Sequence, residues 1–183
     1  MNERNTKEKR INSAKECAFL AVFVALVLAS QLALSAIPGV ELVSVLFITY
    51  SFVFGAGRGA LSATAFSLLR CFLFGFFPNV LALYLVYYNL LTLLFGFLGK
   101  RPIQSGWKQL LLLTLIACVC TVLFTVIDDI LTPLWYGYTA QAWRLYAIGS
   151  LYFLFPQVIC TAISVPLLFF PLKKTFGIAR RGL

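Results

Sequence analysis

The residues of this 183-residue chain that can do chemistry are few, and their types narrow it sharply. There is no histidine, so a Ser–His or Cys–His nucleophile pair cannot be built. The cysteines are Cys17, Cys71, Cys118, Cys120 and Cys160. All lie in apolar runs and none forms C-x-x-C, so metal-ligand spacing is absent. They read as small apolar packing residues. No glycine-rich phosphate loop, selectivity filter or water-bridged carboxylate pair occurs. What remains is a sparse polar set: Glu41, Arg70, Asn79, Asp128, Asp129, Arg144 and Gln157. With it goes an aromatic set: Tyr84, Tyr87, Tyr88, Trp135, Tyr136, Tyr138, Trp143 and Tyr152. Rings with convergent polar groups suit a flat, polar small molecule. Arg70 suits a carboxylate or phosphate, and the acids suit an amine or ring N–H.

The elements that must position these residues are apolar. Hydrophobic residues make up 61% of the chain and charged residues 11%, against the ~25% charged residues of a soluble domain. Apolar stretches at 17–37, 42–57, 60–77, 80–98, 110–134 and 145–172 are each read as long enough to cross a bilayer, whose core of ~30 Å takes about 20 helical residues. Backbone groups in lipid must bond internally, and the period-two alternation of barrel strands is missing. The fold expected is therefore an all-α membrane protein, one compact bundle of six transmembrane helices over 14–174. A cytoplasmic segment precedes it at 1–13, and a basic cytoplasmic tail follows at 175–183. The first apolar run exceeds the 7–15 residues of a signal-peptide core, and it reads as retained.

Net charge is +9, but the cations are ordered. If six spans alternate, Arg4, Lys7, Lys9, Arg10, Lys15, Arg58, Lys100, Arg101, Lys108, Lys173, Lys174, Arg180 and Arg181 fall on one side. Only Arg70 and Arg144 do not. The positive-inside rule then places both termini in the cytoplasm. The basic excess is an orientation signal and a contact for anionic lipid, with no nucleic-acid partner implied. The glycines at 55, 57 and 59 read as a tight loop, residues 133–144 as the longest outer loop, and Pro156, Pro166 and Pro171 as a bend in the sixth span.

Glu41, Arg70, Asp128, Asp129 and Arg144 gather toward the outer end. A charge in lipid costs ~3 kcal/mol or more and faces the bundle interior with a partner. Two readings follow: an internal ion pair, Arg70 with Asp128 or Glu41, or a polar pocket opening outward. The outer aromatics read either as an interfacial belt or as a lid over a planar ring. Neighbours on a helix diverge by ~100°, so Asp128 and Asp129 do not read as one site. On the first span Ala14, Ala18, Ala21, Ala25 and Ala29 recur on one helix face, followed by Ala33 and Ala36. Small residues let helices approach closely in lipid, within this bundle or against another subunit.

Three stretches carry a resemblance: Ala21-Val-Phe-Val-Ala25-Leu-Val-Leu-Ala29, Ile37-Pro38-Gly39-Val40-Glu41-Leu42, and Phe54-Gly55-Ala56-Gly57-Arg58-Gly59-Ala60-Leu61. In order and spacing the chain resembles the substrate-binding S components of energy-coupling factor (ECF) vitamin transporters, over nearly its whole length. The resemblance implies a non-enzymatic multi-pass subunit of a prokaryotic plasma membrane, without cofactor or metal. It would capture a vitamin-like micronutrient near the outer face. It would then dock through Ala21, Ala25 and Ala29 onto a transmembrane coupling subunit bearing two ATPase subunits. The pocket would draw on Glu41, Arg70, Asn79, Tyr84, Asp128, Trp135 and Gln157. Two other readings stand beside it. A stand-alone carrier or small channel would use Asp128 or Glu41 for proton coupling. A membrane assembly or lipid-modifying enzyme would need a catalytic constellation that the chain does not offer.

Overall fold

A computed structural model of the protein describes residues 14–37, 39–100 and 106–182. The expected segment 1–13, Pro38 of the first turn, Arg101 and most of the 100–108 connection lie outside the described residues. The fold is an all-α membrane bundle of six helices: α1 (Ala14–Leu34), α2 (Val43–Phe54), α3 (Ala56–Phe74), α4 (Pro78–Leu98), α5 (Trp107–Tyr136) and α6 (Ala140–Gly182). No strand occurs among the described residues.

The helix ends follow local chemistry. Gly55 (φ 92°) and Gly75 (φ 89°) take positive φ and stop α2 and α3, a conformation that costs glycine little. Pro78 opens α4, where its missing N–H is not needed. Gly137 is left-handed, and the N–H groups of Gly137 and Tyr138 both reach the Pro133 carbonyl, closing α5 as a glycine C-cap does.

Helix ends meet in a way that fixes the alternation. Arg58 Nη2 pairs with Glu16 Oε1 at 2.7 Å, joining the starts of α1 and α3. Arg180 Nη1 donates to the Val53 carbonyl at 2.9 Å, joining the ends of α6 and α2. Gly99, just past α4, lies so close that a Cβ there would sit 2.3 Å from the Phe52 oxygen. Both ends of the described chain therefore share one end of the bundle, with Lys15, Arg58, Lys100, Lys108 and the α6 cations. This is the basic end.

Several expectations are corrected. Four helices, α1, α4, α5 and α6, are long and apolar enough to cross a membrane alone. The second and third stretches are not: α3, at 19 residues, is not apolar enough, and α2 has 12 residues, about 18 Å at 1.5 Å per residue. Ten of those residues are buried, because a helix apolar on all faces belongs inside. The glycine-rich loop is a single residue, Gly55, and Gly57 and Gly59 belong to α3. Gly59 serves packing, since a Cβ there would lie 2.7 Å from Ser51 Oγ, whereas Gly57 is exposed with open space beside it. A Cβ on Gly96 would come within 2.4 Å of the Ala56 backbone, so α4 and α3 touch main chain to main chain. The outer loop shrinks to residues 137–139, since α5 persists past Pro133 and α6 begins at Ala140. The basic tail is helical: α6 runs 43 residues, with all three prolines inside it.

Around α2 lies an aromatic core. Phe23 stacks on Tyr50 at 4.0 Å, Phe47 meets Phe66 edge-on at 5.2 Å, and Phe66 meets Tyr88 at 5.4 Å. In lipid such burial gains packing rather than dehydration, with ~0.5–1.5 kcal/mol per ring pair beyond area. Interhelical hydrogen bonds add direction: Thr121 to Thr161 at 3.0 Å and Asn89 Nδ2 to Thr64 at 3.2 Å.

Candidate functional site

The polar residues at the end opposite the cations fall into two layers. The outer layer belongs to α5 and α6. Tyr146, Ser150, Phe153 and Gln157 recur at spacings of four, three and four on α6, and so share one face. They look across at Phe124 and Asp128 of α5. Between the two helices lies a groove of about 420 Å³ lined by these residues. That is within the ~300–1,000 Å³ of small-molecule pockets.

The acids are held firmly. Asp128 Oδ1 accepts from Thr132 Oγ1 at 2.7 Å, and its Oδ2 accepts from the Tyr146 hydroxyl at 2.8 Å. Thr132 in turn accepts from Asn79 Nδ2 at 3.2 Å, and Asn79 Oδ1 accepts from the Tyr136 hydroxyl at 3.2 Å. A relay Tyr136–Asn79–Thr132–Asp128 thus ties α4 to α5. Asn79 is 5% exposed and sits behind Asp128, orienting it. Asp129 Oδ2 accepts from Ser150 at 2.8 Å, while its Oδ1 is buried without a hydrogen-bond partner. A buried acceptor left open costs ~1–3 kcal/mol, and it suits a donor brought by a ligand.

The inner layer joins α1, α2, α3 and α4. Tyr84 receives a hydrogen bond from Gln31 Nε2 at 3.1 Å. The Arg70 guanidinium lies 4.2 Å over the Tyr84 ring and 4.9 Å from that of Phe74, a cation–π arrangement. Its Nε is buried without a hydrogen-bond partner. Glu41 lies in the α1–α2 connection, outside the spans, and accepts from Ser44 Oγ at 3.1 Å. Burial pushes its carboxyl above the usual carboxylate range, with the Ser44 hydroxyl acting the other way. The same connection rests on α6: Cys160 donates to the Glu41 carbonyl, and Gly39 sits against Pro156 so tightly that a Cβ would lie 2.7 Å from its ring. Phe124 links the layers, lining the groove and meeting Tyr87 at 4.8 Å and Tyr84 at 5.9 Å.

The site residues named from sequence are thus distributed. Asp128 and Gln157 share the groove. Asn79 supports Asp128 from behind. Arg70 and Tyr84 stack on one another, and Glu41 lies at the inner layer's edge. Trp135 is 54% exposed on the last turn of α5 and does not line the groove. The expected Arg70 ion pair, with Asp128 or Glu41, is not formed. Among the described residues the one ion pair is Arg58–Glu16, because aromatic rings take up the Arg70 charge. The aromatic lid is also absent as a loop, its residues being helical apart from Tyr138. Tyr146, Ser150, Thr132, Phe124 and Phe153 were not singled out from sequence. For Tyr146, Ser150 and Phe153 the signal was the helical spacing on α6 opposite Asp128, and for Phe124 and Thr132 it was their place four residues to either side of Asp128 on α5.

On α1, Phe23, Val24 and Val27 are buried, whereas Ala14, Ala18, Ala21, Ala25, Ala29 and Ala33 are all exposed, as is Ala36 just past its end. The small-residue face is therefore not spent on packing inside this bundle. No group of metal-ligating side chains occurs among the described residues. Comparison with protein-family models, with curated proteins and with solved structures finds no match for this chain.

Proposed function

We propose that this chain is the substrate-binding subunit of an ATP-driven importer of the ECF type, seated in a prokaryotic plasma membrane with its basic end in the cytoplasm. It captures a vitamin-like micronutrient in the groove between α5 and α6. It then docks through α1 onto a separate coupling subunit that carries two ATPase subunits. Substrate contacts come from Asp128 and Gln157, with Tyr146 and Ser150 beside them. Glu41, Arg70 and Tyr84 form the polar layer behind. The chain itself performs no catalysis in this reading.

The observation that carries the proposal is the outward alanine face of α1. A helix that buries Phe23, Val24 and Val27 in its own bundle and turns Ala21, Ala25 and Ala29 outward, between the exposed Val22, Leu26 and Leu32, leaves room along that row for a close helix–helix contact. The groove at the end opposite the cations, where the outer medium lies by the positive-inside rule, supports capture from outside.

The test is a mild-detergent pull-down from native membranes, with mass spectrometry of the eluate, paired with Ala25→Trp. Two ATPases and a larger membrane subunit should co-purify with the wild type. Ala25→Trp should abolish that association and uptake, while ligand binding by the isolated subunit is unchanged. Normal uptake by the variant would remove the docking role of α1.

A second reading has one observation in its favour, the unpartnered Asp129 oxygen. A stand-alone carrier would use that carboxylate to couple transport to protons. Gradient-driven uptake into vesicles free of ATP and of other subunits would establish it.

A further inference from the structure

The basic end holds a second cavity, larger than the groove at about 1010 Å³. It lies where the C-terminal turns of α6 meet the end of α2 and the start of α5. Lys173, Lys174, Arg180 and Arg181 all line it. Lys173 and Arg180 are seven residues apart, as are Lys174 and Arg181, so each pair shares a face two turns along the helix.

Among the described residues these charges have no counter-charge. Glu16 is engaged with Arg58, and Glu41, Asp128 and Asp129 belong to the opposite end. Two of the four cations are oriented by neighbours. Arg180 gives one N–H to the Val53 carbonyl, leaving the other donors of its fork free. Lys173 Nζ lies 5.1 Å from the Phe52 ring centre and 5.8 Å from that of Phe169. Lys174 and Arg181 are exposed. Apart from Gln109 the rest of the lining is apolar or glycine: Phe170, one turn before Lys173 and Lys174 on α6, and Ile178, between them and Arg180, are both exposed.

We infer that this cavity binds the headgroup of an anionic phospholipid. The phosphate is held by the four cations, Ile178 packs beside the headgroup, and the acyl chains run along Phe170 toward the membrane. Guanidinium groups match a phosphate bidentately. Basic pockets between helices on the cytoplasmic side are where anionic lipid headgroups bind. A soluble anion would satisfy the charges but not the apolar flank. The site is independent of what the groove at the other end takes.

The test uses the full chain, delipidated in mild detergent and offered phosphatidylglycerol or phosphatidylcholine of matched chains, with bound lipid read by native mass spectrometry. One phosphatidylglycerol should be retained per protein in preference to phosphatidylcholine. The double variant Lys174→Gln/Arg181→Gln should weaken retention by about thirtyfold. The charge-matched double variant Lys15→Gln/Lys108→Gln, outside the cavity, should leave it unchanged. Should the first variant not fold, Lys174→Gln alone should show about a fivefold loss. Equal retention of the two lipids, or equal weakening by the two double variants, would reduce the effect to general surface charge and overturn the site. Inorganic phosphate stabilising the delipidated protein, with no preference between lipids, would assign the cavity to a soluble anion and overturn the lipid.

Discussion

Tyr84 and Tyr146 both bring a phenol into a bundle of lipid-facing helices, and their surroundings differ. Tyr84, in the α1–α4 body, is enclosed by Phe66, Tyr88 and Phe124, with Arg70 across its face. Tyr146, on the α5–α6 pair, lines an open groove, and its hydroxyl orients a carboxylate there. The body also leaves polar atoms without partners, Arg70 Nε and Gln31 Oε1, but rings pack around that layer. The α5–α6 pair leaves Asp129 Oδ1 open next to Ser150, which lines space a molecule can enter. The same chemistry therefore braces in one region and remains available in the other. What separates them is whether aromatic rings fill the volume beside the polar group.

Three substitutions break or sharpen this contrast. The largest effect belongs to the body. Gly96→Val forces a side chain into the Ala56 backbone, and overpacking of this kind costs ~1–3 kcal/mol and occasionally more. Here the upper end is expected, read as a lowered unfolding midpoint in detergent. A midpoint equal to wild type would show that α3 and α4 do not need main-chain contact. Next is Asp128→Asn, in the groove. Losing a charge-assisted hydrogen bond to ligand, worth ~1.5–3 kcal/mol, should weaken binding by roughly ten- to a hundredfold, with the unfolding midpoint little changed. Loss of stability without loss of affinity would move Asp128 to the bracing class with Arg70. The smallest is Thr132→Val, which cuts the relay to Asn79 while keeping shape. About 1 kcal/mol of hydrogen bonding, near fivefold in affinity, is expected. Titration calorimetry against the substrate identified by screening measures both affinities.

Hydropathy and cation placement made the six-helix alternation legible, because lipid and the positive-inside rule act on composition alone. They did not reveal that α2 is interior, since a residue apolar enough for lipid is apolar enough for the core. Gly57 and Gly59 read as loop by soluble-protein habit, whereas both are helical and Gly59 marks the close approach of α3 to Ser51 and Thr92. Pro133 suggested an early end to α5, but a helix ends where its carbonyls are satisfied, and Gly137 does that one turn later. Asp128 and Gln157 stood out because polar groups are rare in such runs. Tyr146 and Ser150 were hidden by being ordinary residues whose role exists only across from Asp128. Trp135 looked functional by type, and its direction could not be read from spacing within a single turn.

The length of α6 has a consequence for how the molecule sits in its solvent. From Leu145 to Phe170 its outward residues, among them Ile148, Tyr152, Phe155, Ile159, Ile163 and Leu167, are apolar and exposed. That stretch measures about 39 Å at 1.5 Å per residue, against a hydrocarbon thickness of about 30 Å. Hydrophobic mismatch of this size is met by tilting, by kinking at prolines or by local thickening of the bilayer. Tilt alone would need about 40°, the far end of the range for transmembrane helices. Because α6 packs against both α2 and α5, its inclination is shared by the core. Membrane thickness thereby becomes a variable that sets the attitude of the whole protein, and with it the direction in which the groove opens.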